Sequence, residues 1–216
     1  MTKARSGAIR DMSTRGVMET RDPHSPARYT RHLVVSVLAA LVAILGPPAL
    51  SHPPVTRLLG DLNLSGYPPA MKPPDFSGRT ATGRTVSLAG LRGRVIILTF
   101  WTTWCSECRP EMPVFEQLHR DFAAEGLTVL GINVREGGPV IRTYAKELGL
   151  TFPLVLDPKG EIQASYGVVG LPTTFLIGRD GRGVALAVGP REWGSPPARA
   201  IVQALLEEPT VRKGAS

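Results

Sequence analysis

Two cysteines, and no others, stand three residues apart in Trp104-Cys105-Ser106-Glu107-Cys108-Arg109, just after the apolar, β-branched run Val95-Ile-Ile-Leu-Thr-Phe100. With no third cysteine in the chain, the pair must act on each other or on an outside partner. Three chemistries compete for it. A tetrahedral zinc site takes four ligands, and the sequence has no second cysteine pair or His-x-His cluster to complete one. A structural disulfide closing so short a loop removes little unfolded-chain entropy, because that benefit grows with loop length. A dithiol that cycles between thiol and disulfide suits a pair with a strand before it and a helix after it, and this reading is favoured.

Cycling needs this spacing. A cysteine at the first turn of a helix meets unpaired backbone N–H groups and the positive end of the helix dipole, which stabilise the thiolate, the attacking species. A cysteine three residues on lies about one turn deeper on the same face. Cys105 can then attack a partner disulfide, and Cys108 can resolve the mixed disulfide that results.

Such a pair must be held by a rigid frame, and the flanking sequence supplies one. Val95–Phe100 and Leu127–Val134 are continuous apolar runs, as expected of strands buried on both faces of a sheet. Between them Met112, Phe115, Leu118, His119 and Phe122 recur at helical spacing, and Gly126 ends that helix. Ile141–Leu148 predicts a second helix stopped by Gly149. Thr174–Gly178 and Gly183–Val188 flank the Arg179-Asp180-Gly181 turn as a hairpin, and Pro197–Glu208 closes as an amphipathic helix. Gly83-Arg84 reads as a turn leading into a short strand at Thr85–Leu88. Two βα units, a β-hairpin and a helix predict an α/β domain over residues 75–208, with a mixed sheet covered on both faces.

At 216 residues and 43% hydrophobic content, the chain can bury one good core with extensions to spare. The net charge is +7, of which residues 1–32 carry +4, from seven Lys and Arg against three Asp and Glu. No basic stripe interleaved with aromatics follows, so the charge does not read as nucleic-acid binding. It abuts the thirteen-residue run Leu33–Leu45, in which Ser36 is the only polar residue. An Arg-rich flank beside an apolar run is a membrane-directed segment with its basic end in the cytoplasm. Thirteen residues is short for a span of about 20, and Ala49-Leu50-Ser51 offers small residues at signal-peptidase spacing. A basic region as long as 1–32 argues the other way, unless translation starts at Met12 or Met18. Residues 33–50 are therefore read as an anchor or a cleaved signal, with the catalytic part on the extracytoplasmic (periplasmic) side. Residues 51–74, rich in proline, read as an extended tether, with an ordered arm over Leu58–Leu64 as the alternative, and 209–216 as a tail.

Several motifs in order carry a family resemblance: Pro74-Asp-Phe76, Leu91-Arg-Gly-Arg94, Phe100–Pro113 around the cysteines, Phe152-Pro153, Leu156-Asp157 and Gly170-Leu-Pro-Thr-Thr-Phe175. Across roughly residues 74–207 the chain resembles the TlpA/ResA-like thioredoxins, exported and often membrane-anchored thiol-disulfide oxidoreductases. The resemblance implies a thioredoxin fold with an N-terminal β-hairpin extension, and no cofactor. It makes Cys105 the attacking thiol and Cys108 the resolving one, and it matches Pro172 to the family's cis-proline facing the pair. Trp104, Arg109, Leu171 and Thr173 are then expected to meet the substrate, with a core position as the alternative for Trp104. Pro113 matches a helix kink. Glu111 matches an acidic position near the active site of the ResA branch, against the alternative of a solvated surface glutamate. The implied partners are disulfide-containing proteins, cytochrome c apoproteins and copper-site assembly factors among them, and an extracytoplasmic or membrane thiol donor.

Two departures from the family pattern matter. Glu107 stands where many relatives have proline, and Thr99 replaces the buried aspartate of cytosolic thioredoxin, so Glu111 or water must handle the proton of Cys108. Two other functions compete with disulfide reduction. A thiol peroxidase needs Pro-x-x-x-Thr/Ser-x-x-Cys; Thr102 fits, but Leu98 occupies the proline position. A binding module or chaperone would use the pair only to sense redox state.

Overall fold

The computed structural model describes residues 55–68 and 72–208. The basic segment, the apolar run Leu33–Leu45 and the tail lie outside the described residues. Among those described, no helix is long and apolar enough to cross a membrane.

The sheet is organised around β4 (Val95–Trp101), in which every residue is buried. Apolar and β-branched side chains on both faces suit a strand with neighbours on each edge and helices above and below. Its partners are β5 (Leu127–Val134), parallel to it and also wholly buried, and β7 (Thr173–Ile177), antiparallel. β6 (Leu154–Asp157) extends the parallel side, and β8 (Gly183–Val188) pairs with β7 through the Arg179-Asp180-Gly181 turn. The last strand in the sheet is β1 (Ser65–Gly66), which pairs with β8, so the spatial order is β1-β8-β7-β4-β5-β6.

A separate hairpin of β2 (Ser77–Arg79) and β3 (Thr85–Ser87) forms the N-terminal extension. It sits against the free edge of β6: the Ala81 N–H donates to the Leu154 carbonyl at 2.8 Å, and Thr80 forms an antiparallel bridge with Val155. An exposed strand edge is a template for unwanted pairing; here the hairpin occupies the edge of β6, and the other side of the sheet ends in the two-residue strand β1, too short to template much.

Helices cover the two faces. α2 (Cys108–Phe122) buries Met112, Phe115, Leu118 and Phe122, the apolar stripe expected from their spacing. It also buries Glu111 and Glu116, which its amphipathic pattern does not forecast. α3 (Gly138–Leu148) starts before the expected Ile141 because Pro139 seats at its first turn, where a missing N–H costs nothing. It ends at Gly149, whose φ of 64° is the left-handed cap that glycine adopts freely. α4 (Glu161–Ser165) is short, and α5 (Pro196–Glu207) buries Ala198, Ile201, Val202, Leu205 and Leu206.

Part of the expected tether is built differently. Residues 55–66 form α1 (Val55–Asp61) and β1, and Leu58, Leu59, Leu62 and Leu64 are all buried in the same apolar cluster as α5. Four leucines within seven residues bury enough apolar surface to order a segment that its prolines suggest is loose. The ordered-arm alternative holds for this stretch.

Candidate functional site

The cysteine pair sits at the carboxyl end of β4, where the chain turns into α2. The Cys105 carbonyl accepts from the Cys108 N–H at 3.2 Å and the Arg109 N–H at 3.3 Å, so helical bonding begins at Cys105 although the regular helix starts at Cys108. The two cysteines form a disulfide with Cα atoms 5.3 Å apart. The backbone N–H of Cys108 donates to Cys105 Sγ at 3.1 Å. The same donor would hold a thiolate at that sulfur, the stabilisation expected at a helix N-terminus. Cys105 retains 8% exposure and Cys108 only 1%, so Cys105 is the sulfur a partner can reach.

Cys105 opens into a cavity of about 490 Å³ whose walls include Trp104, Ser106, Glu107, Arg135, Gln163 and the Val169-Gly170-Leu171 segment. That segment leads into the Leu171–Pro172 bond, which is cis. The Pro172 carbonyl accepts from the Gly189 N–H at 2.8 Å. No hydrogen bond among the described residues engages the Leu171 backbone.

The expected contact residues divide. Trp104 is 74% exposed beside Cys105, which removes the core-aromatic alternative and leaves its ring open to a partner. Leu171 lines the cavity. The Arg109 guanidinium turns to α3 instead, pairing with Glu147 and lying 5.3 Å from the centre of the Tyr144 ring. The Thr173 side chain is buried, its hydroxyl donating to the Gly170 carbonyl at 2.7 Å, so it shapes the cis-proline loop from behind. Pro113 lies inside α2. Thr99 is buried and its hydroxyl accepts from the Thr174 hydroxyl at 3.0 Å, a neutral pair where a buried acid would otherwise sit.

Glu111 is 5% exposed, against the surface alternative. Its Oε1 accepts from the Arg191 N–H at 2.8 Å, while Oε2 and the nearby indole N–H of Trp193 lack partners of hydrogen-bonding geometry. Burial pushes its carboxyl up to about 7; the Arg191 N–H, the Trp193 indole and the Arg191 charge pull the other way, and Glu107 adds a small push upward. One turn below Cys108 on the same helix face, Glu111 is a group that can hold or release a proton near neutral pH.

Loops that show no motif hold the rest together. The Glu136 carboxylate accepts from the Thr103 N–H at 2.7 Å and from Asn133 Nδ2 at 2.7 Å, and it also accepts from the Thr103 hydroxyl, pinning the approach to Cys105 onto the end of β5. Asp157 accepts from the N–H groups of Ile162 and Gln163, fixing α4 and the Gln163 wall. The Arg191 guanidinium donates to the Asn63 carbonyl at 3.1 and 3.2 Å, which ties the loop that serves Glu111 to the N-terminal arm. A position just past the carboxyl end of a parallel strand was the one available signal for Arg135 and Glu136; nothing in the sequence pointed to Arg191 or Gln163.

The signature of the AhpC/TSA family matches residues 69–183, more than half of the chain. The chain belongs to that family. It is 39% identical over 109 residues to the thiol-disulfide oxidoreductase ResA of Geobacillus thermodenitrificans, a match covering 50% of this chain and 63% of the relative. It is 37% identical over 119 residues to the thioredoxin-like protein YneN of Bacillus subtilis, covering 54% and 69%. The chain thus spans a little under two thirds of the ResA relative's length. Among solved structures it is similar to a thiol:disulfide interchange protein of the thioredoxin family from Chlorobium tepidum, at 32% identity and a TM-score of 0.58, covering 66% of this chain and 99% of that one. The fold is the thioredoxin fold, and within the family the chain stands with the ResA-like members.

Proposed function

We propose that this protein is a thiol-disulfide oxidoreductase that reduces disulfides in other polypeptides. The observation that carries this reading is the pairing of a reachable Cys105, its Sγ held by a helix N-terminal N–H, with a buried Cys108 directly behind it. The Cys105 thiolate attacks one sulfur of a substrate disulfide, forming a mixed disulfide and expelling the other sulfur as a thiolate. Cys108 then attacks Cys105, closing the internal disulfide and releasing the second substrate thiolate. Two electrons pass to the substrate, and its thiolates take up protons. The unengaged Leu171 backbone across the cavity offers an N–H and a C=O to an extended substrate chain. Glu111 is assigned the proton traffic at Cys108 that Thr99 cannot perform. Restoring the dithiol requires an outside thiol donor.

The Arg-rich, apolar N-terminal sequence supports an extracytoplasmic domain held at, or exported through, the membrane by residues 33–50. The relatives' names support the same chemistry, and roles in maturing cytochrome c or metal sites remain within this reading.

The test is covalent trapping. Cys108→Ser should accumulate mixed disulfides with extracytoplasmic proteins on non-reducing gels, and Cys105→Ser should not; equal trapping by both overturns the assigned roles. Consumption of peroxide without reduction of insulin would instead favour the peroxidase reading, against which Leu98 stands buried in mid-strand.

A further inference from the structure

Of the four large apolar side chains exposed among the described residues, Val140 lies apart on α3 and the three most exposed lie on the disulfide's side of the cis-proline loop. Trp104 is 74% exposed and Val169 97%, and both line the cavity that holds Cys105. Val188, 55% exposed, sits opposite Thr173 across β7 and β8, and its Cγ1 lies 3.9 Å from where a Cβ on Gly170 would be. Such clustering marks a surface that a partner covers, because apolar area left in water gains free energy on docking.

The charged residues lining the cavity are Arg135 and Glu107. Arg135 follows β5 with φ at 60°, a left-handed conformation that arginine has no intrinsic reason to adopt. Its guanidinium lies over Gly160: a Cβ there would be 2.9 Å from Arg135 Nε and 3.4 Å from Nη2, with Gln163 Oε1 at 3.3 Å. No hydrogen bond or ion pair among the described residues engages its guanidinium. A second cavity of about 700 Å³, which meets the first at Ser106 and Glu107, is lined by Asp61, Glu107, Glu111 and Glu192, and its arginine, Arg191, is committed to backbone carbonyls. Glu107 lines both cavities, so what sets the first apart is Arg135, a cation with no partner of its own among the described residues, where the second holds three further carboxyl groups and a committed arginine.

We propose that Arg135 is a specificity residue that binds a carboxylate on the substrate polypeptide, while Trp104, Val169 and Val188 receive a large apolar side chain of the same segment. The inference rests on the oxidoreductase reading and narrows its substrate class to protein disulfides whose reacting cysteine has an Asp or Glu and a bulky apolar residue within two or three positions. An extended chain rises about 3.3 Å per residue, so such neighbours fall within reach of one cavity.

The experiment uses the full-length chain, reduced by a dithiol and desalted, with peptides that contain one internal disulfide and differ only in a Glu, Gln or Lys beside the cysteine. The readout is the ratio of second-order rate constants for the Glu and Lys peptides within each protein, so that general changes in reactivity cancel. The parent should prefer the Glu peptide by about three- to tenfold at low ionic strength, and the gap should shrink in high salt. Arg135→Lys should keep the preference, Arg135→Glu should invert it, and Arg135→Gly should lose it. The glycine variant accepts the left-handed backbone and should melt no lower than the parent, which keeps the result independent of folding. Equal rates for the two peptides with the parent, or a preference that survives in Arg135→Glu, overturn this inference and leave the oxidoreductase reading standing. Failure to reduce any peptide overturns both.

Discussion

Glu111 is a buried carboxyl with one oxygen satisfied by the Arg191 N–H and the other by nothing. Because its folded pKa is raised to about 7, folding binds its proton more tightly than the unfolded chain does. Its contribution to stability is complete at acid pH, below the ordinary carboxyl value, and is lost as pH rises through about 7. Glu111→Gln should therefore become more stable relative to the parent as pH rises, by up to about 3 kcal/mol between about pH 4.5 and 8, read from denaturant unfolding of the oxidised proteins. The same carboxylate, once ionised, opposes a thiolate at Cys105, so the variant should also be more oxidising in glutathione equilibration above neutrality, by about 30 mV for each pKa unit removed from Cys105. An unchanged potential and pH profile would reduce Glu111 to a packing residue. The cysteines were legible because their chemistry is written in residue type and spacing. Glu111 was legible as a position but not as a buried one: its neighbours Trp193 and Arg191 come from a loop some eighty residues further along the chain. Arg109 shows the opposite failure, since its neighbourhood in sequence suggested the substrate and its side chain chose Glu147.

The strands and helices that place these residues depend on clamps far from the chemistry. Arg179 donates to the carbonyls of Gly93, Glu125 and Leu206, joining the start of β4, the turn after α2 and the end of α5. Of these carbonyls only that of Leu206 is partly buried, while those of Gly93 and Glu125 can turn to water, so Arg179→Ala should cost about 1–2 kcal/mol of unfolding free energy. The redox potential should stay where it is, because Cys105 lies beyond the opposite end of β4, about 20 Å away at the usual rise per residue. A shifted potential would show that the clamp reaches the site. Long periodic segments such as β4, β5 and α2 were readable because each carries its own burial pattern. β6 and α4 were not, at four and five residues, where a handful of side chains fits either period. Glu116 belongs here too. Its burial resists ionisation, but the Thr151 N–H and hydroxyl and the Arg120 guanidinium overcome that and lower its pKa, so this carboxylate fastens α2 to the segment before β6.

On the scale of the whole domain, additions at the N-terminal side finish the sheet: the β2–β3 hairpin shields β6, and the α1–β1 arm shields β8. Composition hid the arm, since prolines on either side of Leu58–Leu64 suggested a chain without a core, and the partners of those leucines lie on α5 at the other end of the sequence. That separation has a kinetic consequence. The arm is made well before β8 and α5, yet its strand pairs with β8 and its leucines pack on α5. Closing so long a loop is slow, and local pairings such as β7 with β8 need not wait for it. The arm should dock after the rate-limiting step of refolding, so Leu58→Ala, at a cost of about 2–4 kcal/mol, should accelerate unfolding and leave the refolding rate nearly unchanged in stopped-flow chevrons. A slowed refolding limb would put the arm in the nucleus. If it docks last, a newly made chain passes through an interval in which the sheet exists and four leucines still face water, the interval in which a holding chaperone has something to grip.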